Sequence, residues 1–224
     1  MPELVQGIVL DSFKFKENSV ICKIFTLQHG ILSVLVNGIG KKNSNTNQIY
    51  LQPLSHLELV VYMKESHGIL RSKDIRMLQT ALGITPNVKS YAIACFVAEI
   101  VLRTYKEYEI DLRLYDLLCH IVQQIVKQEV GTQDIHLFFL CRYSELLGFS
   151  LQTEELTVIG VESDELDMAS RQALLLLLQT QQYVPLGISK QERRGIVRFI
   201  LRYLSQHIEM SNIKSLEILE EVLS

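Results

Sequence analysis

The sequence predicts an α+β protein: a five-stranded OB-type β-barrel followed by an all-helical domain. Three observations carry this prediction. Apolar residues from Leu4 to about Leu78 recur with a strand period and are rich in Val, Ile and Phe. Beyond Pro86 the apolar period becomes that of amphipathic helices. The turns of the first part are mostly short enough for hairpins, which favours a small closed or nearly closed barrel.

In order, the strands are expected at Val5–Phe15, Val20–Leu27, Ile31–Ile39, Leu57–Met63 and Ile69–Leu78. Lys16-Glu17-Asn18 and Gln28-His29-Gly30 separate the first three, with the polar and glycine residues that tight turns need. Lys41 to Gln48 contains no apolar residue and reads as a surface loop. Helices are expected near 86–107, 111–129, 133–147, 164–181, 190–208 and 214–222. Thr85-Pro86 has the pattern of a helix start, Thr132 is placed to cap the third helix, and Ser189 with Glu192 forms a capping box for the fifth. The domains are therefore drawn as residues 1–83, a barrel, and 84–224, a helical domain.

The chain has 224 residues, with 22 Lys and Arg against 25 Asp and Glu. A hydrophobic content of 48% supplies a real core and excludes a disordered chain. The apolar runs Tyr91–Ala98 and Ala173–Leu178 fall far short of the roughly 20 residues that span a bilayer. Met1–Leu10 carries no basic leader, so a cytoplasmic location is expected. Charge is unevenly spread: residues 1–83 hold nine Lys and Arg against six Asp and Glu, and the remainder is acidic overall. A polyanionic partner is therefore expected on the N-terminal part or on a local basic stripe.

No enzymatic motif is present: the sequence lacks G-x-S-x-G, a Walker phosphate loop, H-E-x-x-H and a dinucleotide fingerprint. Gly38-Ile39-Gly40-Lys41-Lys42 lacks the spacing of a nucleotide loop. The six histidines are dispersed, and the acidic run Glu162–Glu165 reads as a helix start. Cys22, Cys95, Cys119 and Cys141 sit in apolar stretches without zinc-type spacing, so they read as structural thiols. No catalytic residue, cofactor or metal is predicted.

Nucleic acid is held by cations that neutralise phosphates and by aromatics that stack on bases. Phe13-Lys14-Phe15-Lys16 alternates the two types, so strict strand periodicity puts Lys14 and Lys16 on one face and the phenylalanines on the other, read as core. Lys41 and Lys42 lead the polar loop; Lys64, Arg71, Lys73 and Arg76 flank the last hairpin, with Arg71 and Lys73 on one face. In the helical part, Lys190, Arg194, Arg198 and Arg202 are spaced by four and form one stripe, because each step of four rotates only about 40° on a helix. The stripe has no carboxylate four residues away, which suits phosphates or an acidic peptide as well as a solvated face.

The ordered series Gly7-Ile8-Val9-Leu10, Glu17-Asn18, Phe25-Thr26, His29-Gly30, Gly38 and Gln52-Pro53-Leu54-Ser55 resembles the N-terminal barrel of the RecO family of bacterial recombination and repair mediators. Tyr91 with Glu99, Leu146-Leu147-Gly148-Phe149, and Lys214-Ser215-Leu216-Glu217-Ile218-Leu219 fit the same pattern farther on. The resemblance implies an OB fold followed by helices, binding of single- and double-stranded DNA, strand annealing and association with RecR. It also implies docking of the acidic C-terminal tail of single-stranded-DNA-binding protein and help in loading RecA, in the cytoplasm at the nucleoid. Many members of that family hold zinc with four cysteines after the Leu-Gly-Phe segment; Ser150–Gly160 has none, so no metal is expected. Lys41 and Lys42 fall at the family's basic loop. Two rivals remain: a general OB nucleic-acid module, for RNA or DNA, with a helical scaffold, and a protein adaptor whose lysines serve solubility.

Overall fold

The computed structural model describes residues 1–38, 48–63, 68–79, 87–127, 132–151, 166–210 and 212–223. Five strands, β1 (Pro2–Lys16), β2 (Ser19–Thr26), β3 (Gly30–Asn37), β4 (His56–Tyr62) and β5 (Leu70–Gln79), close in the order β1-β2-β3-β5-β4. Neighbours are antiparallel except for β3 and β5, which close the barrel in parallel through Val34–Leu70 and Leu35–Arg71. This is the OB-type barrel expected from the sequence.

Val5, Val9, Cys22, Ile24, Leu32, Val34, Val36, Leu57, Leu59, Val61 and Leu70 fill the barrel interior. The middle of β1 is buried on both faces: Ile8 and Leu10 point outward with Phe25, Ile31 and Leu54 into the core of the helical part. That double burial explains the unbroken apolar run Ile8-Val9-Leu10, where a half-exposed strand would alternate.

Six α-helices follow among the described residues: α1 (Val88–Thr104), α2 (Leu112–Lys127), α3 (Ile135–Leu146), α4 (Met168–Gln179), α5 (Lys190–Ser205) and α6 (Lys214–Val222). Helix α3 is buried on every side from Ile135 to Ser144 and forms the centre of the bundle. Its Arg142, itself buried, donates to the Leu177 and Leu178 carbonyls at 2.9 and 3.1 Å and so caps the C-terminus of α4. The Ser189–Glu192 capping box opens α5 as the sequence indicates.

The remaining helix starts differ in their caps. Asn87 caps α1 by accepting from the Lys89 N–H at 2.9 Å, whereas Thr85 and Pro86 lie outside the described residues. Thr132 opens a short 3-10 turn, Thr132–Asp134, and the N-cap of α3 is Asp134 without a side-chain cap bond. The Asp134 carboxylate is committed elsewhere, to Arg193 at 2.6 Å and the Leu186 N–H at 3.3 Å. Helix α6 is capped from a distance: Glu99 on α1 accepts from the Lys214 and Ser215 N–H groups at 3.2 and 2.8 Å.

Barrel and helices share one packed junction. Phe25 meets the Tyr105 ring edge-on at 5.5 Å, and His56 Nε2 lies 2.8 Å from the Tyr115 hydroxyl. The α1–α2 connector lies over β2 and β3, with Lys23 paired to Glu107 and Ile31 bridged to Glu107. The boundary proposed at residue 83 falls outside the described residues.

Candidate nucleic-acid interface

Strand register arranges the outer face of the barrel in rows that change character away from the helices. The row Ile8–Phe25–Ile31 is buried under them. The next, Asp11–Lys23–Ser33, is covered in part by the connector through the Lys23–Glu107 ion pair. Farther out, Phe13, Ile21, Leu35, Arg71 and Tyr62 lie side by side across β1, β2, β3, β5 and β4. Phe13, Arg71 and Tyr62 in this row are exposed. It links the β1–β2 hairpin to the base of the β4–β5 loop, the two loops that flank the ligand face of OB barrels.

Two bulges decide which cations reach this face. Asp74 adopts φ +54°, and the register shifts between Glu58 and Val60. One extra residue reverses the facing of everything after it. Arg76 therefore joins Arg71 and Lys73 on the outer face, although simple alternation would separate them. Lys73 Nζ sits over the Tyr62 ring at 5.8 Å and 3.7 Å from Asp74. On β1, a register shift between Lys14 and Lys16 corrects the expectation that these two lysines share a face. Lys14 stands opposite Val20 and Lys16 opposite Ser19, so they project to opposite sides and Lys16 shares the outer face with Phe13.

The phenylalanines also depart from expectation. Phe13 and Phe15 are 47% and 49% exposed, because β1 and β2 run past the barrel core and no other described element covers the hairpin. Lys16 Nζ lies 5.5 Å from the centre of the Phe15 ring. Among the described residues, Lys14, Lys16, Arg71 and Arg76 make no ion pair. Lys41, Lys42 and Lys64 lie outside the described residues.

Comparison with known proteins identifies the lineage of this barrel. Residues 1–81 match the sequence model described as "Recombination protein O N terminal", and residues 85–217 match "Recombination protein O C terminal". The chain belongs to the RecO family. Among its relatives, the DNA repair protein RecO of Pelodictyon phaeoclathratiforme is 27% identical over 150 residues, which are 66% of this chain and 57% of that protein. The chain thus spans little more than half the length of that relative. The DNA repair protein RecO of Azobacteroides pseudotrichonymphae is 24% identical over 237 residues, covering 97% of each chain. That of Phocaeicola vulgatus is 25% identical over 235 residues, covering 97% of this chain and 98% of its own.

In this RecO-family chain the arginine stripe lies on α5 as the spacing predicts, but it has an internal partner. Glu220 on α6, only 8% exposed, is held by Arg194 at 2.6 Å and by Arg198 at 2.7 Å. The acid comes from a different helix, so no i+4 rule could reveal it. Burial by itself would raise the Glu220 carboxyl, yet hydrogen bonds from Arg198 and Arg194 outweigh it and hold the group below the usual glutamate range. Arg194 and Arg198 share this one carboxylate and remain about half exposed. Lys190 lies at the first turn of α5 and, with His136, Arg193, Arg194, Val197, Leu219, Glu220 and Leu223, lines a small cavity between α5 and α6. Arg202 sits on the last turn of α5.

Cys22, Cys141 and His136 lie in the packed interior. Burial pushes the Cys22 and Cys141 thiols up to about 12, which keeps them protonated and unreactive. His136 is fully buried, and burial, with the positive Arg193 beside it, lowers its pKa to about 3. No group of three His, Cys, Asp or Glu among the described residues is placed to hold a metal ion. No helix among them is long and apolar enough to cross a membrane.

Proposed function

We propose that this chain is a non-enzymatic DNA repair and recombination mediator whose barrel binds single- and double-stranded DNA and anneals complementary strands. The observation that carries this reading is the outer-face row from Phe13 to Tyr62, with Lys16, Arg71, Lys73 and Arg76 gathered on the same surface by two bulges. Cations that replace the condensed counterions of two strands reduce the repulsion that opposes annealing. Lys14 on the hairpin would add a phosphate contact on the opposite side of β1, and Lys41 and Lys42, which lie outside the described residues, are assigned to DNA by their place in the sequence alone. Residues 1–83 act as the DNA-binding unit and 84–224 as the unit that recruits proteins, with RecR as a partner at the nucleoid.

Lys190, Arg194, Arg198 and Arg202 form the second contact, for the acidic C-terminal tail of single-stranded-DNA-binding protein or for DNA. A tail carboxylate would compete with Glu220 for the same guanidinium groups. Engagement of that tail, together with RecR, would help RecA load onto covered strands. The names of the relatives support the repair role, and the charge of the barrel face supports the DNA contact.

An annealing assay with strands precoated by single-stranded-DNA-binding protein tests the proposal. The wild-type chain with RecR should accelerate annealing, and the Arg71→Ala/Lys73→Ala/Arg76→Ala variant should lose most of that acceleration. Equal rates for the two would refute the assignment. The arginine–Glu220 pairing favours a second reading, a general OB nucleic-acid module with helices as scaffold. Under that reading RNA and DNA oligomers compete equally and precoated strands are not annealed.

A further inference from the structure

We infer that the β1–β2 hairpin is a base-stacking arm that takes unpaired nucleobases, with Phe13 and Phe15 as platforms and Lys14 and Lys16 as flanking phosphate contacts. This inference rests on the DNA-binding reading above and specifies which form of the polymer its hairpin selects. From Asp11 to Val20 no residue is buried, although β1 and β2 remain paired up to Lys16 and Ser19. The hairpin therefore projects past the packed interior. Its two phenylalanines keep about half of their surface in water, where a core phenylalanine would keep almost none.

The chemistry of the arm points to its occupant. Aromatic faces are interleaved with two lysines, and Glu17 at the turn is the single acid between Ser12 and Val20. An apolar protein surface would be opposed by the two cations, whereas a polyanion carrying flat apolar groups satisfies both features. Single-stranded nucleic acid is such a polymer. A duplex is not, because its base faces are already stacked on one another and it offers its backbone and base edges instead. Phe13 also heads the register row that ends at Arg71 and Tyr62. A strand stacked on the arm can therefore continue across the barrel to a cation and a second exposed ring.

The chain contains no tryptophan, which makes the test direct. In this 224-residue chain, Phe13→Trp and Phe15→Trp each introduce a single indole at the arm. Oligo-dT should quench that indole, whereas a blunt duplex or an abasic oligomer of equal charge should leave it unchanged. Phe13→Ala/Phe15→Ala should weaken oligo-dT binding by roughly tenfold per ring and leave duplex and abasic binding unaltered. Both substitutions lie on an exposed arm, so an unchanged melting temperature confirms that the fold is intact.

Equal quenching by duplex and oligo-dT, or unchanged oligo-dT affinity in the double alanine variant, overturns the inference while leaving DNA binding itself in place. Concentration-dependent self-association that the double variant abolishes, with oligo-dT affinity unchanged, also overturns it and makes the arm a contact between copies of the chain. If the wild-type protein binds neither oligo-dT nor duplex, the broader DNA-binding reading fails as well.

Discussion

Arg193 Nε donates to Asp134 Oδ1 at 2.6 Å with both side chains almost wholly out of water. The same guanidinium reaches the Ile188 carbonyl at 3.2 Å, and the same carboxylate accepts from the Leu186 N–H. One ion pair thus ties the entry to α3, the segment before α5 and α5 itself. Removing either partner strands a buried charge, which costs about 3–5 kcal/mol. Asp134→Ala is expected to lower the urea midpoint accordingly, and Asp134→Leu/Arg193→Met should recover much of the loss. A single variant with an unshifted midpoint would contradict the role given to this pair.

The Glu220 clamp makes a pH-dependent contribution whose direction follows from its depressed pKa. A carboxyl held below its unfolded value, about 4.3 for glutamate, contributes fully above that value. The contribution disappears as pH falls through the lower folded value. Melting temperatures of the wild type should therefore drop on acidification below about pH 5, and Glu220→Gln, which cannot titrate, should show a shallower decline. The same variant removes the negative charge that competes for Arg194 and Arg198 and should bind an acidic tail peptide roughly two- to fivefold more tightly. Weaker peptide binding in Glu220→Gln would argue against competition at that clamp.

Neutralising Arg71, Lys73 and Arg76 together should also reduce the salt dependence of duplex binding. If all three contact phosphates, the slope of log K against log salt becomes shallower by about 2–3. Titrations at several salt concentrations measure that slope. An unchanged slope would place the DNA elsewhere on the molecule.

Gly30 is expected to tolerate no side chain. Its φ is +64°, and a Cβ built there would lie 2.3 Å from the Glu109 carbonyl oxygen in the α1–α2 connector. Left-handed strain and backbone overlap add, so Gly30→Ala should destabilise the protein by about 2–4 kcal/mol. Denaturant melts check the value. A neutral result would mean that the connector does not rest on β3 in solution.

Amino-acid order alone determined the strands, most of the helix limits, the Ser189–Glu192 capping box and the α5 stripe. Those features arise from residues a few positions apart, and backbone periods of two and 3.6 translate directly into buried and exposed positions. Tertiary structure alone decided what each charge meets. Glu99 caps a helix that begins 115 residues later, and Glu220 reaches back 22 residues to Arg198. Neither distance carries a local signal.

The facing of Lys16 and Arg76 was beyond sequence reading for a related reason. A bulge is one unpaired residue whose position depends on how a neighbouring strand accommodates it, and one such residue turns all later side chains to the other face. Phe13 and Phe15 read as core because phenylalanine in a strand is usually buried. They are exposed because β1 and β2 continue beyond the interior that their own barrel can enclose.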